Sequence, residues 1–406
     1  MANTPFSFPV PGEPVPQTLA HLRKLGPVVP IELPGGVSVW AVTSQDAIFE
    51  LLSNDNKLFS RNPRHWSALQ DGAVPADWPM RPVVEGEHLQ VLDGADHRRL
   101  RGLISRAFTP SRVEALTPRI EKITNELLDG VVAAGDGVDL VSAFTEPLPI
   151  SVISELFGVP VPDRPRLRKW TQVLISHTST GEETAAANRD LLAYLGELVE
   201  QKRRVPGDDL TSGLVRVHDE DDRLTGSELV AILWLMVIAG HETTVHLLGN
   251  AIVALCAHPE QRALAIAGDR WSQVVEEALR SGASVATSPF RYAVTDVTLA
   301  GVRILAGEPL LVCYGGAGTD TDRHGEGADR FDITREQTGH LAFGHGPHFC
   351  IGAPLARLEG AIALSALFSR LPDLNLAVAP AELLYSPSFM TYGPLALPVS
   401  LGVPGS

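Results

Sequence analysis

The sequence predicts a mainly α-helical protein with small β-sheets, on three features. First, Thr225-Gly-Ser-Glu228 reads as a capping box. It opens an apolar run that continues to Ala257, before Pro259. That is roughly 32 residues, or about 48 Å at the α-helical rise. Leu229–Ile238 is apolar nearly all round, which predicts a buried helix. Second, shorter helical patterns recur along the chain, among them the amphipathic stretch Leu116–Val132. Third, Val28–Leu33 and Val37–Thr43 flank Pro34-Gly35-Gly36, which reads as a β-hairpin. No linker, repeat or low-complexity run divides the 406 residues. The expectation is one domain over 1–406, with a β-rich subregion at about 27–43 and a helical bulk at about 96–280.

In chain order, residues 1–16 are proline-rich and read as extended, and His21–Leu25 as a short helix. Ser44 caps a helix through Leu52. Residues 61–90 show little periodicity, but Trp66, Trp78, Met80 and Val84 are apolar enough to face something. Asp96–Phe108 is a helix with Asp96 as a possible cap, and His97 and Arg101, four apart, share one face. Arg98, Arg99, Arg106 and Arg112 make a local basic patch, the footprint of an acidic partner. Pro147–Val159 is a short apolar helix bounded by prolines. Leu167–Ile175 and Leu191–Arg204 are helices around a polar stretch, His177–Asn188. Trp271–Arg280 is a helix, and Glu277 and Arg280 share one of its faces. Tyr292–Ala300, Val302–Leu305 and Glu308–Tyr314 read as strands. The glycine excess in Gly315–Asp322 predicts a looser segment.

Composition sets further bounds. Apolar residues make up 44% of the chain, enough for a large core. A net charge of −15 argues against nucleic acid and anionic membrane as general partners. Cys256, Cys313 and Cys350 are too widely spaced for a disulfide framework, which fits a reducing cytoplasm. The N-terminus has no basic region and no apolar run of signal or anchor length, so a soluble, cytoplasmic protein is expected.

Two stretches carry chemistry. Ala239-Gly240-His241-Glu242-Thr243-Thr244 places four polar residues within an apolar helix, which is unfavourable unless they serve something. Thr243 can hydrogen-bond the carbonyl four residues back and open the helix slightly. Gly240 leaves room where a side chain would sit. The other stretch is His340–Arg357, with one cysteine, Cys350, among Gly344, Gly346 and Gly352 and just before a helical run. A helix N-terminus favours thiolate, and a thiolate can hold iron. A buried structural cysteine is an alternative. So is zinc, because His340, His345, His348 and Cys350 are crowded together. Zinc sites usually pair two close ligands with two distant ones, and no second Cys/His pair stands out.

The pattern Phe343-Gly344-x-Gly346-x-His348-x-Cys350-x-Gly352-x-x-Leu355-Ala356-Arg357 resembles the haem-binding loop of bacterial cytochromes P-450. The resemblance covers nearly the whole chain, with His97/Arg101, Ala239–Thr244, Glu277/Arg280 and Arg291 in the family's order. It implies the cytochrome P-450 fold, with haem between the long central helix and the cysteine-loop helix. It makes Cys350 the axial iron ligand, with Phe343 beside the sulfur. His97, Arg101, Arg291 and His348 would hold the haem propionates. Gly344 and Gly352 would complete the cradle, and Ala239 and Gly240 would line the oxygen and substrate side. Glu242 and Thr243 would relay protons, and the Glu277/Arg280 pair would be structural. His241 takes no catalytic role.

The implied activity is a soluble haem-thiolate monooxygenase of actinobacterial type, inserting one atom of O2 into a bulky, mostly apolar natural product. Its cofactor is haem b. Electrons come from an acidic ferredoxin docked near Arg98, Arg99, Arg106 and Arg112, and NAD(P)H acts indirectly through a ferredoxin reductase. Substrate contacts would come from Trp66, Val84, Ala239, Ala286, Thr287, Phe389 and Met390. Two alternatives stay open: oxidative C–C or C–N coupling of an aromatic metabolite such as a cyclic dipeptide, and a haem-thiolate protein that binds without oxygenating.

Overall fold

A computed structural model of the chain describes residues 5–85, 88–175, 179–221, 225–336 and 339–402. The chain forms two compact units. The first comprises Met1–Arg98, Glu276–Cys350 and Ser388–Tyr392, and the second Arg99–Val275, Ile351–Pro387 and Gly393–Ser406.

The first unit is built on strands β1 (Phe6–Ser7), β2 (Val28–Leu33), β3 (Val37–Val42), β4 (Phe59–Ser60), β5 (Ser288–Ala293), β6 (Val297–Leu299), β7 (Val302–Ile304) and β8 (Pro309–Val312). Six of them form one sheet in the order β1-β2-β3-β8-β5-β4, and β6 and β7 pair separately. The expected hairpin is present, with Leu33 opposite Val37. Gly35 and Gly36 both turn at positive φ, and the Trp78 indole donates to the Pro34 carbonyl at 2.8 Å. Two-residue alternation gives the sheet a core on each face. Val37, Val39, Ala41, Leu311 and Cys313 fall in one apolar cluster, and Val42, Leu310 and Val312 in the other. The register slips between Ser288 and Arg291 on β5, and Arg291 is buried. Ser44 caps the helix Gln45–Ser53, accepting from the Ala47 N–H.

The N-terminal helix is longer than expected: it begins at Val15 and runs to Leu25, and residues 1–4 lie outside the described set. The glycine-rich segment is a larger correction, because it is packed rather than loose. A Cβ on Gly315 would come within 3.1 Å of Leu19 Cδ1, one on Gly316 within 3.2 Å of the Thr43 carbonyl oxygen, and one on Gly318 within 1.8 Å of the Arg280 carbonyl oxygen. Arg23 Nη1 donates to the Gly316 carbonyl at 2.6 Å and to Thr319 Oγ1 at 2.9 Å. The glycines serve close approach, not mobility. Around them, buried Arg280 donates to Glu277 at 2.7 and 2.6 Å and to the Ala328 carbonyl at 2.6 Å. Glu277 also accepts from the Asp332 N–H at 2.9 Å.

The second unit is helical. Its longest helix, Gly226–Ala257, has the expected 32 residues and the expected capping box. Thr225 Oγ1 accepts from the Glu228 N–H at 3.1 Å, and Glu228 Oε2 accepts from the Thr225 N–H at 2.7 Å. Burial differs from the all-round expectation. In the first half only a stripe is buried (Leu229, Ile232, Leu233, Val237), whereas Thr244–Gly249 is buried without a break. This helix packs on Pro147–Phe157, Gly181–Arg204 and Ala353–Arg370. Thr180 caps Gly181–Arg204, so much of the supposed polar connection is helix; His177 lies outside the described residues.

Gly318→Ala is expected to lower stability by about 3 kcal/mol, because the added methyl overlaps backbone that cannot move without breaking the Arg280 network. Gly102→Ala, with nothing within 4 Å of its Cβ in a helix, is the control and gains about 0.5–1 kcal/mol. Denaturant midpoints of both variants against wild type check this.

Candidate active site

The cysteine loop is closed by its own backbone. The Cys350 N–H donates to the Phe343 carbonyl at 2.8 Å, and a single 3₁₀ turn, Gly346–His348, lies between them. Gly344 and Gly346 adopt φ +73° and +71°. A Cβ on Gly346 would come within 2.6 Å of the Leu52 carbonyl oxygen, so this position needs glycine twice over. Gly352 has ordinary φ (−81°) and caps the helix Ala353–Arg370. Cys350 itself is exposed, which removes the buried structural cysteine as a reading. The histidines do not converge on it: His340 meets Glu276 at 3.1 Å, the His345 ring lies 4.3 Å from that of Phe49, and His348 faces Asp93 at 3.6 Å. Among the described residues no group of three or more His, Cys, Asp or Glu side chains could hold a metal ion. The zinc reading has no geometry behind it.

Beside the loop lies a buried charge cluster. Arg291 and Asp55 have side chains each 1% exposed, and Arg291 Nε donates to both Asp55 oxygens at 2.7 and 2.9 Å. Burial opposes the Arg291 charge, but Asp55, Tyr314 and Asp93 together outweigh it and raise the guanidinium's pKa. Arg61 donates to the Pro289 carbonyl at 3.0 Å, and burial together with Arg291 pushes it down to about 10. The His97 ring sits 4.0 Å from that of His348. Burial, with further contributions from Arg61, Arg291 and His97, pushes His348 down to about 3, against the pull of Asp93. Burial works against the Asp93 carboxylate, but His348, Ser60 and the N–H groups of Asn62 and Arg61 hold it at about 2. Two donors of this cluster make no hydrogen bond to a described residue: Arg291 Nη1, and His348 Nε2, which stands 3.6 Å from Asp93. Such donors call for a partner, and a buried set that includes the Arg291 and Arg61 guanidiniums suits carboxylates. The haem that the sequence implies carries two propionates, so the cluster fits that group.

His97, Arg291 and His348 were expected here, and the structure brings them together. Asp55, Arg61, Asp93 and Tyr314, which is buried beside Arg291, were not expected; Asp55 lies between helix and strand, Arg61 follows β4, Asp93 precedes the helix Gly94–Ala107 and Tyr314 opens a short helix, and none has a diagnostic spacing. Arg101 follows His97 by one turn on the helix Gly94–Ala107 and belongs to the second unit.

On the long helix, Thr243 Oγ1 donates to the Ala239 carbonyl at 2.7 Å and Thr244 Oγ1 to the Gly240 carbonyl at 2.9 Å. The first bond was expected; the expected opening of the helix is not seen, and the α-helix runs through unbroken. A Cβ on Gly240 would meet Ile153 Cδ1 at an ordinary 3.4 Å, so packing alone does not require glycine there. His241 is fully buried, with Nε2 at 3.0 Å from the Glu146 carbonyl oxygen. Glu242 is 21% exposed, and its Oε1 lies 3.4 Å from His246 Nε2.

The family model for Cytochrome P450 matches residues 271–372, which include the Glu277/Arg280 pair and the whole cysteine loop. The chain is 40% identical to 2-hydroxy-5-methyl-1-naphthoate 7-hydroxylase of Streptomyces carzinostaticus, over 94% of each chain. It is 42% identical to vitamin D(3) 25-hydroxylase of Pseudonocardia autotrophica, over 94% of this chain and 93% of that one. The chain belongs to the cytochrome P450 family. The solved structure of CYP154C4 from Streptomyces sp. W2061 superposes with a TM-score of 0.91, at 40% identity and 99% coverage of both chains. This cytochrome P450 is a monooxygenase, with the family's fold and its haem-iron chemistry.

Several expected substrate contacts of this cytochrome P450 need correction. Trp66 is 1% exposed, enclosed by Trp78, Phe290 and Tyr292, and its ring stacks on Tyr292 at 5.7 Å. Val84 is buried in the same apolar cluster, as is Ala286. What these residues face is the core of the sheet. Thr287 is wholly buried and spends its hydroxyl on the Phe389 carbonyl, at 3.0 Å. The Met390 carbonyl accepts from the Ala286 N–H at 2.8 Å and the Thr287 N–H at 3.2 Å. Residues 286–287 therefore anchor the C-terminal turn, leaving Phe389 and Met390 partly exposed at its tip and Ala239 exposed on the long helix.

The basic patch also changes. Arg99 meets Glu228 at 2.5 Å and is committed to the capping box of the long helix. Its charge is neutralised there, which withdraws it from the docking set. Arg98 and Arg106 are exposed and Arg112 is half-buried.

Burial pushes His241 down to about 4, against an ordinary value near 6.5. Between those pH values the unfolded chain binds a proton that the folded chain does not. His241 therefore contributes stability that is present above pH 6.5 and lost as the pH falls towards 4, on the order of 3 kcal/mol in all. Denaturant midpoints measured from pH 7 to 4.5 should fall less steeply in His241→Gln than in wild type. Parallel curves would contradict the assignment.

Proposed function

We propose that this cytochrome P450 hydroxylates a bulky, mostly apolar natural product with electrons from a ferredoxin, in the cytoplasm. The observation that carries the reading is the buried donor set beside the cysteine loop, in which Arg291 Nη1 and His348 Nε2 make no hydrogen bond to a described residue. When bound, haem supplies thiolate-ligated iron chemistry that reduces dioxygen and passes one of its atoms to carbon. The chain does the rest. Cys350 provides the thiolate and Phe343 packs beside it. Arg101, Arg291 and Arg61 would neutralise the propionates, and His97 and His348 would hold them by hydrogen bonds. Gly344 and Gly346 allow the loop its positive-φ turns.

Glu242 and Thr243 hold and move the protons that dioxygen reduction consumes. Thr243 is fixed for this by its bond to the Ala239 carbonyl at 2.7 Å, which leaves its oxygen able to accept. Glu242, at 21% exposure, can exchange protons with water. Substrate contacts are assigned to Ala239, exposed on the long helix, and to Phe389 and Met390, partly exposed on the C-terminal turn. The substrate class is supported by relatives named for hydroxylating a methylated naphthoate and vitamin D(3). Ferredoxin docking is assigned to Arg98, Arg106 and Arg112, without Arg99.

The test uses the holoenzyme with a ferredoxin and reductase under ¹⁸O₂ and a panel of fused-ring aromatic, secosteroid and macrolide compounds. One class should be consumed with a single ¹⁸O in the product. Thr243→Ala should cut product per NADPH about tenfold and raise peroxide release. Turnover of a panel compound without ¹⁸O incorporation would overturn hydroxylation in favour of coupling.

A further inference from the structure

We propose that His246 is a positioning residue for Glu242, giving the carboxylate a fixed partner one helical turn away. The inference rests on the reading of Glu242 as a proton-delivering acid. The two side chains are four residues apart on one face of the helix Gly226–Ala257, with Glu242 Oε1 3.4 Å from His246 Nε2. The His246 side chain is 6% exposed, and neither of its ring nitrogens makes a hydrogen bond to a described residue. The ring packs against the Gly393 backbone. A Cβ on Gly393 would lie 2.2 Å from Nδ1 and 2.5 Å from Cγ, so the glycine exists where the imidazole sits.

A buried ring with both nitrogens unsatisfied is unfavourable, and an apolar side chain would fill the same space without that penalty. Among the described residues the ion-pair partner of this ring is Glu242. A carboxylate shift of about half an ångström brings the contact to hydrogen-bond length, with Nε2–H as donor. Thr243 is tied to the helix backbone, and the buried His246 ring meets the Glu242 carboxylate on the same helix. His246 thus sets where the acid rests between proton transfers.

Two readouts test this on the holoenzyme. In the reduced, carbon monoxide-bound protein, which is diamagnetic, ¹⁵N-histidine spectra locate the His246 Nε2 resonance by its loss in His246→Asn. That resonance should move in Glu242→Gln while those of the other histidines stay. In turnover, His246→Phe should lower product per NADPH three- to tenfold and raise peroxide, with His246→Gln, which keeps a donor, recovering most of the loss. An Nε2 resonance unmoved in Glu242→Gln would overturn the proposal. So would wild-type coupling in His246→Phe alongside lost coupling in Glu242→Gln. If Glu242→Gln itself couples normally, it is the proton-delivery reading that falls, and the spectrum still decides whether His246 holds the acid.

Discussion

Asp55 and Arg291 are 236 residues apart in sequence and meet with almost no solvent around either. A buried ion pair of this kind contributes little net stability, because the desolvation of both ions offsets their attraction. Losing one partner alone is far worse, at about 3–5 kcal/mol, since the other charge is then buried and uncompensated. The pair therefore constrains everything around it. Arg291 is buried on β5 next to a register shift, and the turn after the helix Gln45–Ser53 presents Asp55 to it. The pair uses Nε of Arg291 and leaves Nη1 without a hydrogen bond to a described residue. Retaining such an arrangement makes physical sense when the leftover donors, with Arg61, His97 and His348 beside them, serve a bound anion.

The cysteine loop shows the complementary principle, close approach of backbone to backbone. Gly346 sits against the Leu52 carbonyl and Gly318 against the Arg280 carbonyl, each too near for any side chain. The Glu277/Arg280 pair organises this packing. Its donors gather the carbonyls of Gly318, Ala328 and Arg330, and its acceptor takes the Asp332 N–H. The chain entering the cysteine loop is thereby fixed by buried, directional contacts, which is what presenting one thiolate in a defined position requires.

Local signals were legible in the sequence. The Thr225 capping box, the helix stop before Pro259, the Pro34-Gly35-Gly36 hairpin and the Ser44 cap depend on neighbours a few residues apart, and each appears where the pattern put it. The motif residues were legible for the same reason. Asp55, Arg61 and Asp93 were not, because their meaning lies in contacts across the chain that no local spacing encodes. The same limit explains the errors. Trp66 and Val84 looked like residues facing a ligand because apolar side chains in an aperiodic stretch must face something, and what they face is core. Arg99 looked free for a partner because its acceptor, Glu228, lies on another helix. The glycines of 315–318 looked loose because composition cannot distinguish a mobile glycine from a crowded one.

The central claim is that Cys350 holds haem iron in this chain. The carbon monoxide difference spectrum of the dithionite-reduced protein, measured beside Cys350→Ser, tests it most directly. The account predicts the strongly red-shifted Soret band of a thiolate–iron complex in the wild type and its loss in the variant. A protein without haem, or an imidazole-type spectrum that Cys350→Ser leaves unchanged, would contradict it.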